Sequence, residues 1–197
     1  MNATTSNTTT MSTDTTKMKT RDLAYIAVFA VLMAICSWIS IPLTIPVTLQ
    51  TFGVFLACIV LGGKRGTLSI IVFILLGAIG IPVFSGFTGG IGVLLGNTGG
   101  YIIGFICSAL IMWLFEKLFK GALWATIASM ILGLIACYAV GTIWFMIVYA
   151  KAAGAVALAS VLGWCVIPFI IPDAVKIALA LIIGNRLNKA LAKAGLL

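Results

Sequence analysis

Two charged residues stand in a stretch of sequence where charge is expensive. Asp173 and Lys176 interrupt the apolar run that leads to the C-terminus of a 197-residue chain. Three positions apart on a helix, they share one face, with Cβ atoms about 5–6 Å from each other. Inside a bilayer each would cost roughly 2.5–3.5 kcal/mol on insertion scales, so such groups face cavities and partners. A structural ion pair is the bland alternative, yet a purely structural pair could be replaced by apolar residues without loss. A polar ligand site is the stronger reading. Aspartate accepts hydrogen bonds and lysine donates them, so the pair can grip a group that presents both a donor and an acceptor. Proline suits the first helical position, so Pro172 is expected to open this helix. That places Asp173 in the first turn, where the helix dipole favours a negative charge, with Lys176 one turn deeper.

Other candidates lie in the connections. The segment Ile41–Thr51 carries Pro42 and Pro46, which stiffen it into an extended path, followed by Thr48, Gln50 and Thr51. It reads either as a simple connector or as a lid with Gln50 as its hydrogen-bonding tip. In Gly86–Gly100, seven of fifteen residues are glycine. The spacing and Lys-Ser/Thr ending of a phosphate-binding loop are absent, so the run fits close helix packing or a loop whose backbone approaches a ligand, with Gly90 at its centre. Asn97 is a helix capper by default and a ligand contact if it faces inward. Trp144 and Tyr149 read as interface-belt aromatics, either of which can wall a pocket. Ala30 and Ala34 make a small-xxx-small seam that would let another membrane subunit dock.

The elements that position these residues follow from composition. Hydrophobic residues make up 62% of the chain and charged residues 8%, against about 45–50% and 25% in soluble domains. No soluble core hides that much apolar surface. The runs Leu23–Ile41, Gly99–Phe115 and Ala122–Tyr149 hold no charge and do not alternate, which excludes a β-barrel and gives an all-α membrane protein. There is no histidine and there are four acids, so most catalytic chemistry lacks raw material and neither an enzyme nor a cofactor is expected. The five cysteines fall singly, with no CxxC pair, so no disulfide framework or metal site is indicated. A channel would need a polar path through every depth, and the charges here cluster at one end.

Six spans are expected, at 23–40, 48–63, 66–82, 98–116, 122–149 and 172–190, behind a disordered Thr-rich tail at 1–22. Residues 152–169 are expected to form a short helix along or dipping into the outer surface, the alternative being the start of a long sixth span broken at Pro168 and Pro172. Lys17, Lys19 and Arg21 precede span 1, Lys64 and Arg65 follow span 2, Lys117 and Lys120 follow span 4, and Arg186, Lys189 and Lys193 end the chain. The 1–2 and 3–4 connections are uncharged, so the positive-inside rule places both termini in the cytoplasm. The same placement explains a net charge of +8 without a nucleic-acid partner, because the basic residues flank spans and form no contiguous face.

The segments Val47–Thr51, Leu61–Gly66, Gly77–Phe84, Gly89–Gly100 and Ile167–Lys176, with its P-x-x-x-P-D-x-x-K pattern, resemble the BioY family. These are the biotin-specific substrate-binding (S) components of energy-coupling factor transporters. The resemblance runs from residue 22 onward and leaves the Thr-rich tail unmatched. It implies a six-helix bundle in a prokaryotic cytoplasmic membrane that binds biotin at high affinity from outside. It assigns binding to Asp173 and Lys176, closure of the pocket to the outer loop carrying Gln50, and docking on a transmembrane coupling subunit to the Ala30–Ala34 seam. Two partner ATPases would supply energy, since the chain has no Walker motif. Biotin's ureido group, with two N–H donors and a carbonyl, matches the pair chemically; a pose with Lys176 on the valerate carboxylate is equally open. Another vitamin such as riboflavin or thiamine is the nearest rival, although thiamine's cation calls for acidic or aromatic caging that a lone acid beside a lysine does not offer.

Overall fold

A computed structural model describes residues 20–43, 45–154 and 156–195; most of the expected N-terminal tail lies outside the described residues. The helices are α1 (Thr20–Trp38), α2 (Gln50–Leu61), α3 (Gly63–Ala78), α4 (Ile91–Leu95), α5 (Gly99–Phe119), α6 (Leu123–Ala153), α7 (Leu158–Cys165) and α8 (Ile167–Lys193). A two-stranded antiparallel hairpin, β1 (Ser40–Ile41) and β2 (Val47–Thr48), pairs Ser40 with Thr48 and Ile41 with Val47. The proline-stiffened connection is thus a hairpin. Helix α1 is already formed at Thr20, inside the expected tail, because Asp22 is buried and pairs with Arg65 at 3.3 Å.

Four stretches are long and apolar enough to cross a membrane: α1, α5, α6 and Leu158–Lys193, which holds α7 and α8. Helices α2 and α3, with 12 and 16 residues, fall short of the ~20 that a span takes. Large apolar side chains point outward along the long helices, among them Val28, Val31, Leu110, Ile135, Ile143 and Ile182. A solvent of hydrocarbon suits that exterior; water does not. Inside, Phe55, Phe73, Phe84, Phe145 and Met33 form the centre of the core.

The helices α5 and α6 make the most extensive contact in the fold. Small residues allow it: Ser108 donates to the Gly133 carbonyl at 2.5 Å, and Gly141 lies flat against the Tyr101 ring. The turn between α2 and α3 is sharp because Gly62 adopts φ 78°, a region that residues with a Cβ seldom enter. Lys64 and Arg65 follow this turn, which lies beside Glu116 and Lys117 of α5. Glu116 in turn borders Asn185 and Asn188 of α8. The basic connections therefore gather at one end of the bundle, opposite the hairpin.

The C-terminal helix departs from expectation. It starts at Ile167 with Pro168 in its first turn, and Pro172 lies inside it. The separate short helix, α7, does exist, but the break after it falls at Val166. Pro168 takes the place where a missing N–H costs nothing, and Pro172 forfeits one bond, to the Pro168 carbonyl. Asp173 is consequently the seventh residue of α8, almost two turns in, and the helix-dipole argument for it falls away.

The Gly141–Tyr101 contact gives a stability test. A Cβ at Gly141 would collide with the ring, so Gly141→Ala should destabilise the protein by about 1–3 kcal/mol. Gly163→Ala, which meets nothing within 4 Å inside α7, should leave thermal unfolding in detergent unchanged or slightly raised, since alanine is the better helix former.

Candidate functional site

Asp173 and Lys176 are both buried, at 1% and 4% exposure. They form an ion pair, with Lys176 Nζ 2.6 Å from Asp173 Oδ1. The other carboxylate oxygen, Oδ2, accepts a hydrogen bond from the Tyr138 hydroxyl at 2.5 Å. Each oxygen thus has one protein donor, and two elements hold the carboxylate: α8 through the lysine and α6 through the phenol. Burying two charges is tolerable only with such pairing. The ammonium keeps two further N–H donors and the carboxylate keeps free lone pairs.

The pair forms part of the wall of a cavity of about 110 Å³ under the hairpin. On the same measure one water needs ~10–15 Å³, so the space suits a small organic molecule better than a lone solvent molecule. Phe84, Tyr101, Ile102, Phe105, Leu134 and Phe169 supply apolar wall; Thr48, Gln50, Thr98, Tyr138, Asp173 and Lys176 supply polar groups. A mostly apolar lining with a few converging polar groups is the usual character of a ligand site. Gln50 adds the most telling detail. It is 5% exposed, and its Nε2 is buried without a hydrogen-bond partner. An unpaired buried donor costs about 1–3 kcal/mol, and a ligand acceptor in this cavity would remove that cost.

The remaining candidates fall elsewhere. Gly90 is not in the cavity wall; its N–H donates to the Gly77 carbonyl at 2.6 Å and turns the chain into α4. Asn97 is exposed, and the residue that precedes α5 as its cap is Thr98. Trp144 sits outside the cavity and donates from Nε1 to the Gly96 carbonyl at 3.0 Å, fastening the Gly-rich loop to α6. Tyr149 stacks on Phe145, with centroids 5.4 Å apart. None of these four lines the cavity. Ala30 and Ala34 are both buried in this chain's own core, at 1% and 4% exposure. Their small side chains let α1 pack closely within the fold.

Tyr138 and Tyr101 were missed by sequence reasoning. For Tyr138 the available signal was depth: a phenol in mid-span must find a partner for its hydroxyl, and Asp173 was an unexplained acceptor; Tyr101, near the start of α5, pairs with Thr142 and offered no such signal. Among the described residues no group of three or more His, Cys, Asp or Glu could hold a metal ion.

The roof over the cavity has two parts. The hairpin is one; the loop 79–90 is the other. Trp38, at the end of α1, donates from Nε1 to the Pro82 carbonyl at 2.9 Å and stacks on Phe87 with centroids 5.0 Å apart. Ser37 donates to the Val83 carbonyl.

Comparison with known proteins supplies the context for this geometry. A family model described as the BioY family matches residues 8–193, so the likeness begins within the Thr-rich tail and not after it. A protein of Pyrococcus horikoshii named probable biotin transporter BioY is 42% identical over 172 residues, 87% of this chain and 98% of the relative. The biotin transporter BioY of Thermotoga maritima is 39% identical over 170 residues, covering 86% and 96%. Among solved structures, the S-component for biotin from an ECF-type ABC transporter superposes with a TM-score of 0.75 at 30% identity, covering 87% of this chain and 95% of that one.

The ion pair itself can be tested without ligand. Lys176→Met leaves a buried carboxylate unpaired and should cost about 3–5 kcal/mol. The double variant Asp173→Asn/Lys176→Met should recover much of that, read as a thermal unfolding cycle in detergent. Equal, additive losses would show that Asp173 and Lys176 are not coupled.

Proposed function

The chain belongs to the BioY family, and from that premise we propose that it is the biotin-binding membrane subunit, the S component, of an ATP-driven vitamin uptake transporter. The observation that carries the reading is the cavity under the hairpin, where a buried Asp173–Lys176 pair and the unpartnered Gln50 Nε2 converge on apolar and aromatic walls. Biotin presents a ureido group and an acyl terminus, joined by a fused ring and a hydrocarbon arm. The ring and arm suit the walls; the polar ends suit the pair and the amide. Two poses fit: with the ureido group on the pair, Asp173 accepts an N–H and Lys176 donates to the carbonyl, and with the acyl end there, Lys176 donates to its oxygen; in either, Gln50 donates from the start of α2. The relatives described above are named for biotin, which lends no support to a thiamine or riboflavin reading.

The same proposal extends to placement. The six helices of 12 residues or more, α1, α2, α3, α5, α6 and α8, form the bundle. The basic end faces the cytoplasm with both termini, in keeping with the positive-inside rule, and the cavity opens outward. A transmembrane coupling subunit and two ATP-binding-cassette ATPases energise it, since the sequence has no phosphate-binding loop of its own. The chain then acts as a carrier and performs no covalent chemistry.

Titration of the detergent-purified protein with biotin, followed by tryptophan fluorescence, tests the reading. The parent should bind tightly, and Asp173→Asn and Lys176→Ala should each abolish binding. Gln50→Leu should weaken it about tenfold, the worth of ~1.4 kcal/mol for one hydrogen bond. A parent protein that ignores biotin would end the assignment.

A further inference from the structure

A second hollow adjoins the cavity. It is an apolar crevice of about 360 Å³, lined by Ile39, Ile41 and Val47 of the hairpin region and by Pro172, Val175 and Leu179 of α8. Thr48 and Lys176 border both spaces. The helix period explains the sharing. Phe169, Asp173 and Lys176 lie along one stripe of α8 and face the cavity. Pro172, Val175 and Leu179 lie along the next stripe, and Lys176 falls on the edge between the two. One lysine side chain and one lid residue therefore make the partition, and the crevice adjoins the site across them. Val175 and Leu179, at 53% and 42% exposure, open the crevice towards the membrane side of the molecule.

The chemistry at the partition is selective. A free carboxylate there would meet Lys176 but also the negative Asp173 beside it. A secondary amide meets neither difficulty: its carbonyl accepts from Lys176 Nζ, and its N–H donates to the Asp173 carboxylate. Whatever is attached to the amide nitrogen then leads past Thr48 into an apolar channel. The geometry points to a second class of ligand for this site: acyl-amide derivatives of the vitamin, with the amide on the Asp173–Lys176 pair and an aliphatic extension lying in the crevice between the hairpin and α8. This inference rests on the biotin reading above, in the pose with the acyl end on the pair, and extends it from the free acid to its amide conjugates.

The test uses biotin and biotin n-hexylamide on the full-length protein in detergent, by competition binding. The parent should bind the hexylamide within about tenfold of biotin. Val175→Trp and Leu179→Trp fill the crevice from its exposed side. Both should keep biotin affinity, which also shows that they fold, and weaken the hexylamide by more than tenfold. A parent that binds biotin but rejects the hexylamide overturns the inference. So does equal hexylamide binding by parent and filled variants, which would make the crevice a surface for lipid chains alone. If biotin itself fails to bind, the functional reading fails first, and the two failures are told apart by that single measurement.

Discussion

The architecture depends on keeping one full negative charge and one full positive charge away from water. Asp173 and Lys176 neutralise each other, yet a lone pair of this kind would still leave a carboxylate oxygen unsatisfied. Tyr138 supplies the missing donor from another helix. That third partner fixes the register of α6 against α8. The requirement propagates further, because α6 is also pressed against α5, where Gly141 gives the Tyr101 ring its place in the cavity wall. Three helices are thus aligned around one carboxylate. Their outer faces need only be apolar, and they are.

Charge is distributed by the same economy. The basic residues of the turns and of the last helix collect at the end remote from the hairpin, where they meet interface and solvent. At the ligand end the described charges are the internal pair and Lys151. The cavity is therefore close to electrically neutral while still rich in donors and acceptors, a setting that suits a polar but compact molecule more than a strongly charged one.

Much of this was legible in the residues. Long uncharged runs gave the helical membrane class, and the cost of burying Asp173 and Lys176 singled out the site. What sequence could not supply was direction. Pro172 looked like a helix start because proline favours that place, but Pro168 competed for it and won, moving the boundary back five residues. Ala30 and Ala34 have the spacing of an external seam, and the same spacing serves equally well for close packing inward. Trp144 and Tyr149 were read as pocket candidates from their type, whereas the wall aromatics, Tyr101, Phe105 and Tyr138, are set by rotation about helix axes that no local pattern reveals. Gln50 lies at the start of α2, directly after the hairpin, where its side chain joins the cavity wall.

The roof is fastened unevenly. On one side, α1 is joined to the loop 79–90 through Trp38 and Ser37, and the segment that follows is held to α6 by Trp144. On the other side, among the described residues, no hydrogen bond joins the hairpin to α8; the two meet across the apolar crevice. In mechanical terms the cover has its pivot beside the Gly-rich loop and its free edge beside α8. Traffic into and out of the cavity is then set by how readily a few aliphatic side chains part, a barrier without directional bonds to break. Lys176 borders that free edge, so the group proposed to hold the ligand is also the first charged group an incoming molecule would meet.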